Sequence, residues 1–109
     1  MLLFIRSHAT PEEIQQMAED FGGYLKVVVD VQRNILVGGG KRHVDAEQML
    51  LSDGSKQEDL WGGGWDSDTK EIDYNSMINL RPSQENPSRD ILSVIVRDQF
   101  VRIIRSLFE

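Results

Sequence analysis

Cysteine is absent from the chain, which excludes a disulfide framework, a thiolate metal site and a cysteine nucleophile together. Histidine is scarce, with only His8 and His43, so an imidazole-rich metal centre has too few ligands to form. Basic residues are the minority charge: 12 Lys and Arg stand against 18 Asp and Glu, for a formal net charge of −6. That balance opposes the counterion release through which duplex-binding proteins gain affinity, so nucleic acid is disfavoured as a partner, and a nucleic-acid-associated toxin-like role with it. Long apolar runs are missing too. Met1 to Ile5 is cut off by Arg6, Ser7 and His8, short of the roughly 7 to 15 residues of a signal-peptide core. Nothing later approaches the roughly 20 apolar residues that span a bilayer. The expectation is a cytoplasmic protein without a membrane partner.

What is present reads as an ordinary globular domain. With 39% hydrophobic and 28% charged residues the chain is too apolar for disorder, and 109 residues suit a single domain over residues 1–109 with one core. Leu2 to Arg6 reads as a short strand. Thr10, Pro11 and Glu13 form a capping box with proline at the first helical position, and Ile14, Met17, Ala18 and Phe21 then fall on one helical face before Gly22-Gly23. Leu25 to Val31, apolar apart from Lys26 and Asp30, predicts a strand covered on both sides. Gln32-Arg33-Asn34 predicts a hairpin turn, with Ile35 to Val37 returning antiparallel. Gly38-Gly39-Gly40 ends that strand; Lys41-Arg42-His43 behind it lacks the order of a phosphate-binding loop.

Asp45 and Gln48 predict a second cap, opening a short helix that Gly54 closes. Ser55 to Trp65 gives only a strand fragment around Leu60-Trp61 and a glycine-rich loop. Ile72 to Leu80 alternates cleanly and predicts a strand with one wet face. After a loop bounded by Pro82 and Pro87, a helix starting at Asp90 or Ser93 carries the stripe Leu92, Val96, Phe100, Ile103 and Leu107. Ile91, Val94, Ile95 and Val101 lie off that stripe. Either Ile91 to Val96 is a strand, or the surplus faces a second copy; we favour the helix, with a homodimer contact through it. The order of elements predicts an α+β fold, with a mostly antiparallel sheet of about four to five strands and helices packed on one face.

Two polar segments hold the candidate site residues. The first offers His43, Asp53, Ser55, Gln57 and Trp61; the second offers Arg81, Ser83, Gln84, Asn86 and Arg89. Arg81 and Arg89 are forked donors suited to a small anionic ligand, Ser83, Gln84 and Asn86 add neutral donors, and His43 can exchange a proton near neutrality. The competing reading is structural: Arg-Pro-Ser-Gln-Glu-Asn is a turn whose side chains bond backbone. Trp61 is either a stacking platform or a core plug, and Trp65, beside Asp66-Ser67-Asp68, is expected to be exposed. A hydrolytic metal at His43, Asp45 and Glu47 or Asp53 has too little imidazole, with Asp45 already read as a cap. Neither Ser55 nor Ser83 sits in a nucleophile elbow. No metal and no cofactor are expected.

The runs His-Val-Asp-Ala-Glu-Gln-Met-Leu-Leu-Ser-Asp-Gly-Ser-Lys-Gln-Glu-Asp-Leu-Trp-Gly and Ser-Met-Ile-Asn-Leu-Arg-Pro-Ser-Gln resemble those of a family of short prokaryotic proteins known only as a domain of unknown function. The resemblance implies an Asp-Gly-Ser-x-Gln-x-x-Leu-Trp-Gly motif at Asp53, Gly54, Ser55, Gln57, Leu60, Trp61 and Gly62, and an Asn-Ile-Arg-Pro-Ser-Gln-Gly-Asn motif at Asn79, Arg81, Pro82, Ser83, Gln84 and Asn86. Glu85 stands where the motif has glycine and Pro87 where a basic residue follows, which weakens an anion site in that loop. The resemblance implies no activity. The expected function is a ligand- or protein-binding or regulatory module with a polar patch formed by the two segments. The alternative is a small hydrolase or transferase acting on an anionic metabolite, with His43 or Asp53 handling protons.

Overall fold

A central strand with apolar side chains at successive positions must be covered on both faces, and that requirement organises the whole molecule. The computed structural model describes residues 1–109. Its strands are β1 (Leu3–Ile5), β2 (Tyr24–Asp30), β3 (Ile35–Gly38), β4 (Leu60–Asp66) and β5 (Ile72–Asp73). They form one sheet in the order β1-β3-β2-β4-β5, with every pairing antiparallel. The helices are α1 (Pro11–Ala18), α2 (His43–Ser52) and α3 (Val94–Phe108). The chain is α+β with a five-stranded antiparallel sheet, as its pattern predicts.

β2 lies at the centre, and its alternation divides the core. Leu25, Val27 and Val29 join Met17 and Ala18 of α1, Phe100, Ile103, Ile104, Leu107 and Phe108 of α3, and both tryptophans. Val28 points the other way, where Ile35, Val37 and Leu60 meet Ala46 and Leu50 of α2. The helices therefore cover both faces, which corrects the expectation of helices on one face: the apolar residues on both sides of β2 cannot be dried by a single layer.

Local chemistry sets the boundaries. Thr10 and Glu13 form the reciprocal capping box that opens α1. In the hairpin, Asp30 Oδ1 accepts from the amides of Gln32 and Arg33 at 2.9 and 3.0 Å, while Asn34 takes a left-handed φ of 56°. α2 starts at His43 instead of after Asp45. Asp45 is not the cap, because it lies in the first turn and pairs with Arg42 at 2.9 Å.

Three further expectations change. β4 runs unbroken through Gly62-Gly63-Gly64 where a loop is expected. A Cβ at Gly63 would strike the Asp73 carbonyl, and one at Gly64 the Tyr24 hydroxyl, so the glycines permit close approach. The strand expected over Ile72 to Leu80 stops at Asp73. Asp73 Oδ1 accepts from the Asn75 amide at 3.1 Å and Ser76 caps a 3-10 turn over Met77–Asn79, so side chains divert the backbone from the ladder. Finally, Ser93 caps α3, accepting from the Val96 amide at 3.2 Å. Ile91 to Val96 is not a strand: Ile91 is buried ahead of the helix, and Leu92 is half exposed instead of joining the buried stripe.

Candidate functional site

The two polar segments come together at the start of β4, through Arg81. Its Nη1 donates to the Gln57 carbonyl at 2.6 Å and to Gln84 Oε1 at 3.2 Å. Its Nη2 donates to the Leu60 carbonyl, and the guanidinium lies 4.0 Å from the centre of the Trp61 ring. Gln84 Nε2 completes the tie by donating to the Glu58 carbonyl at 3.1 Å. Burial lowers the Arg81 pKa, partly offset by the charge of Glu47.

Asn79 and Asn86 are the other anchors. Asn79 is fully buried; its Oδ1 accepts from the Gly62 amide at 2.8 Å. Its Nδ2 donates to the carbonyls of Gly62, Tyr74 and Arg89 at 2.9, 3.0 and 2.9 Å. A side-chain amide carries the same donor and acceptor as a peptide, so Asn79 pairs with Gly62 as a neighbouring strand would. Asn86 Nδ2 donates to the carbonyls of Asn79, Ser88 and Asp90 at 2.8, 3.0 and 2.9 Å, and its Oδ1 accepts from Leu92 at 3.0 Å. These polar groups hold the loop to the sheet, much as the structural reading requires.

The remaining candidates are scattered. Asp53 caps the end of α2 and pairs with Arg6 and Arg33 at 2.7 and 2.6 Å, which hold its carboxyl below the usual range. Ser55 is buried and accepts from Arg33 at 2.7 Å. Ser83 and Arg89 are exposed. His43 faces the Gly63 carbonyl at 2.7 Å, beside Lys26 and Ser76. His43 and Asp53 line different cavities, and Arg81 lines neither of these two. The acid, base and anion binder of a small hydrolase are thus not assembled.

What the two segments do enclose is a cleft of about 580 Å³. Glu58, Asp59 and Glu85 supply carboxylates, Gln32, Gln84 and Gln99 supply amides, and Trp61, Leu92 and Val96 supply apolar surface. No basic side chain lines it. Burial raises the Asp59 pKa, and the charges of Asp30 and Glu58 push the same way. Asp30 is fully buried, with Oδ2 unpartnered. Sequence reasoning passed over Glu58 and Asp59, although they sit inside the first segment; acids beside Gln57 were the available signal. Trp65 is also corrected: it is 1% exposed, packed 4.8 Å from Phe108 with its indole donating to Glu109 at 3.0 Å. That bond requires the far end of α3, which local sequence could not foretell.

No helix is long and apolar enough to cross a membrane. No curated protein and no solved structure matches the chain. A family model described as a protein of unknown function (DUF5674) matches residues 3–107, a span that includes the cleft, both tied segments, α1, α2 and all of α3 but its last residue. The chain belongs to that family.

Proposed function

We propose that this chain is a cytoplasmic, non-catalytic binding module whose cleft receives a cationic, partly apolar segment of a partner protein. The observation that carries the reading is the cleft's one-sided charge: Glu58, Asp59 and Glu85 line it without a basic residue. A lysine or arginine there relieves repulsion among like charges and gains charge-assisted hydrogen bonds, with glutamine amides to orient the backbone. The sign is opposite to that of the anionic ligand expected from Arg81, because Arg81 is committed to main-chain carbonyls.

An apolar ledge adjoins the cleft. Leu92 lines it, and Val94 and Ile95 next to it in the chain are 71% and 73% exposed. Such surface suits the apolar side of an amphipathic segment. It is also the surface through which α3 would form a homodimer.

Calorimetric titration with an amphipathic peptide carrying lysines, and with its glutamate counterpart, tests the reading. The basic peptide should bind, the acidic one should not, and Asp59→Asn should weaken binding by about tenfold, the value of one charged hydrogen bond. Equal binding of both peptides, or no effect of Asp59→Asn, would refute it. A dimer in sedimentation that Ile95→Lys dissociates would assign the ledge to self-association instead.

A further inference from the structure

The sheet face under α2 carries a second recess, independent of the acidic cleft and opposite to it in charge. It measures about 290 Å³ and lies among Lys26 of β2, Arg42 and His43 at the start of α2, and Ser76 and Ile78 of the 3-10 turn. Lys26 is the unusual member. It interrupts an otherwise apolar strand, is half-buried, and in a chain of net charge −6 has no carboxylate within 4.0 Å among the ion pairs formed. Its ammonium lies 5.4 Å from the centre of the Phe21 ring and donates one hydrogen bond, to the Lys41 carbonyl at 2.8 Å, where an ammonium has three protons to give.

The nearby acids are already engaged. Asp73 accepts from the Tyr24 hydroxyl at 2.6 Å, and Asp45 pairs with Arg42 at 2.9 Å. His43 is held toward its neutral form by burial and by the charge of Lys26. Each feature leaves the recess short of negative charge. Val44, Met77 and Ile78 form an apolar wall, with Met77 60% exposed.

We propose that this recess binds a small oxyanion with a short apolar tail, a phosphate monoester or a carboxylate, held by Lys26 and His43 with the tail along Met77 and Ile78. The oxyanion supplies the missing counter-charge of Lys26. Because neutral His43 spends its one N–H on the Gly63 carbonyl, the oxyanion draws a second proton onto the imidazole, whose other nitrogen then donates to it. Arg42 is exposed and adds attraction at the rim.

Isotope-edited NMR titrations with inorganic phosphate, butyl phosphate and butyrate test the site on the full chain. Saturable shifts should appear at Lys26 and His43, with Kd on the order of 1 mM or tighter for the best probe. Each tail methylene buried on the wall should tighten binding about fourfold over inorganic phosphate. Butyl phosphate stronger than butyrate identifies the phosphate class, and the reverse the carboxylate class. Lys26→Met should weaken binding about tenfold or more, Lys26→Arg should retain most of it, and Asp59→Asn in the acidic cleft should leave it unchanged. Unsaturable shifts with all three probes, or equal affinity for the wild type and a folded Lys26→Met variant, would overturn the proposal. If Lys26→Met does not fold, equal affinity of butyl phosphate and inorganic phosphate overturns it on the wild type alone.

Discussion

Replacing Asn79 by alanine tests whether a single side chain closes the edge of β4. In the folded protein Asn79 accepts one backbone hydrogen bond and its amide nitrogen faces three carbonyls. Two protons serve those three acceptors, so at least one bond is shared. Alanine removes all of these interactions and leaves the Gly62 amide a donor without a partner inside a fully buried site. An orphaned buried group costs about 1–3 kcal/mol, and each lost neutral bond about 1 kcal/mol net. Allowing for sharing, the total is about 3–4 kcal/mol, a large part of the roughly 5–15 kcal/mol that holds such a domain together. At about 4–8 °C per kcal/mol for a domain near this size, Tm should fall by at least 12 °C. Urea unfolding followed by circular dichroism measures it, with the midpoint falling at unchanged slope. A loss under about 1 kcal/mol would refute the reasoning. Asn79→Asp sharpens the test: a carboxylate facing three carbonyl oxygens should be no better than alanine at pH 7. It should recover part of the loss below about pH 4, where its proton supplies one donor.

Two other outcomes follow from local geometry. Glu85 has a left-handed φ of 58°, a conformation that penalises a side chain, so Glu85→Gly should be neutral or stabilise by up to about 1 kcal/mol; a loss of more than about 1 kcal/mol in thermal unfolding would contradict that. His43 has a pKa lowered chiefly by burial from the model-peptide value of 6.5. As pH falls below 6.5 the unfolded chain takes up the proton first, so His43 favours the fold above that pH and loses its contribution as pH drops through the depressed folded value. His43→Gln, which retains a donor for Gly63, should flatten the decline in urea midpoint between about pH 6.5 and 5; parallel profiles would sink the argument.

Elements governed by neighbours in sequence were legible. The capping box of α1, the Asn34 hairpin and the two-sided burial of β2 follow from local pattern, and the structure has all three. Elements governed by distant partners were not. Gly62 to Gly64 read as a loop because their strand character depends on Tyr24, Ser76 and Phe100 filling the space above them. Ile72 to Leu80 alternates like a strand, yet the hydrogen bonds that would extend it are taken by Asp73, Ser76 and Asn79 side chains. The meeting of the two polar segments was expected, and Arg81 makes it. Its consequence was not, because whether Arg81 is free for a ligand depends on the carbonyls that fold back to it. Lys26 stood out in sequence as a charge inside an apolar strand, but its lack of a counter-ion appears only in three dimensions.

The outer margin of β4 is shut in pieces, with β5 pairing Gly64 and Trp65 and one amide occupying Gly62. An uncovered margin is a template on which a second polypeptide can add and start fibrous growth. Here that template is interrupted by a group too short to be extended in turn. A chain with three consecutive glycines in an inner strand thereby avoids offering that stretch of backbone to other copies once it is folded.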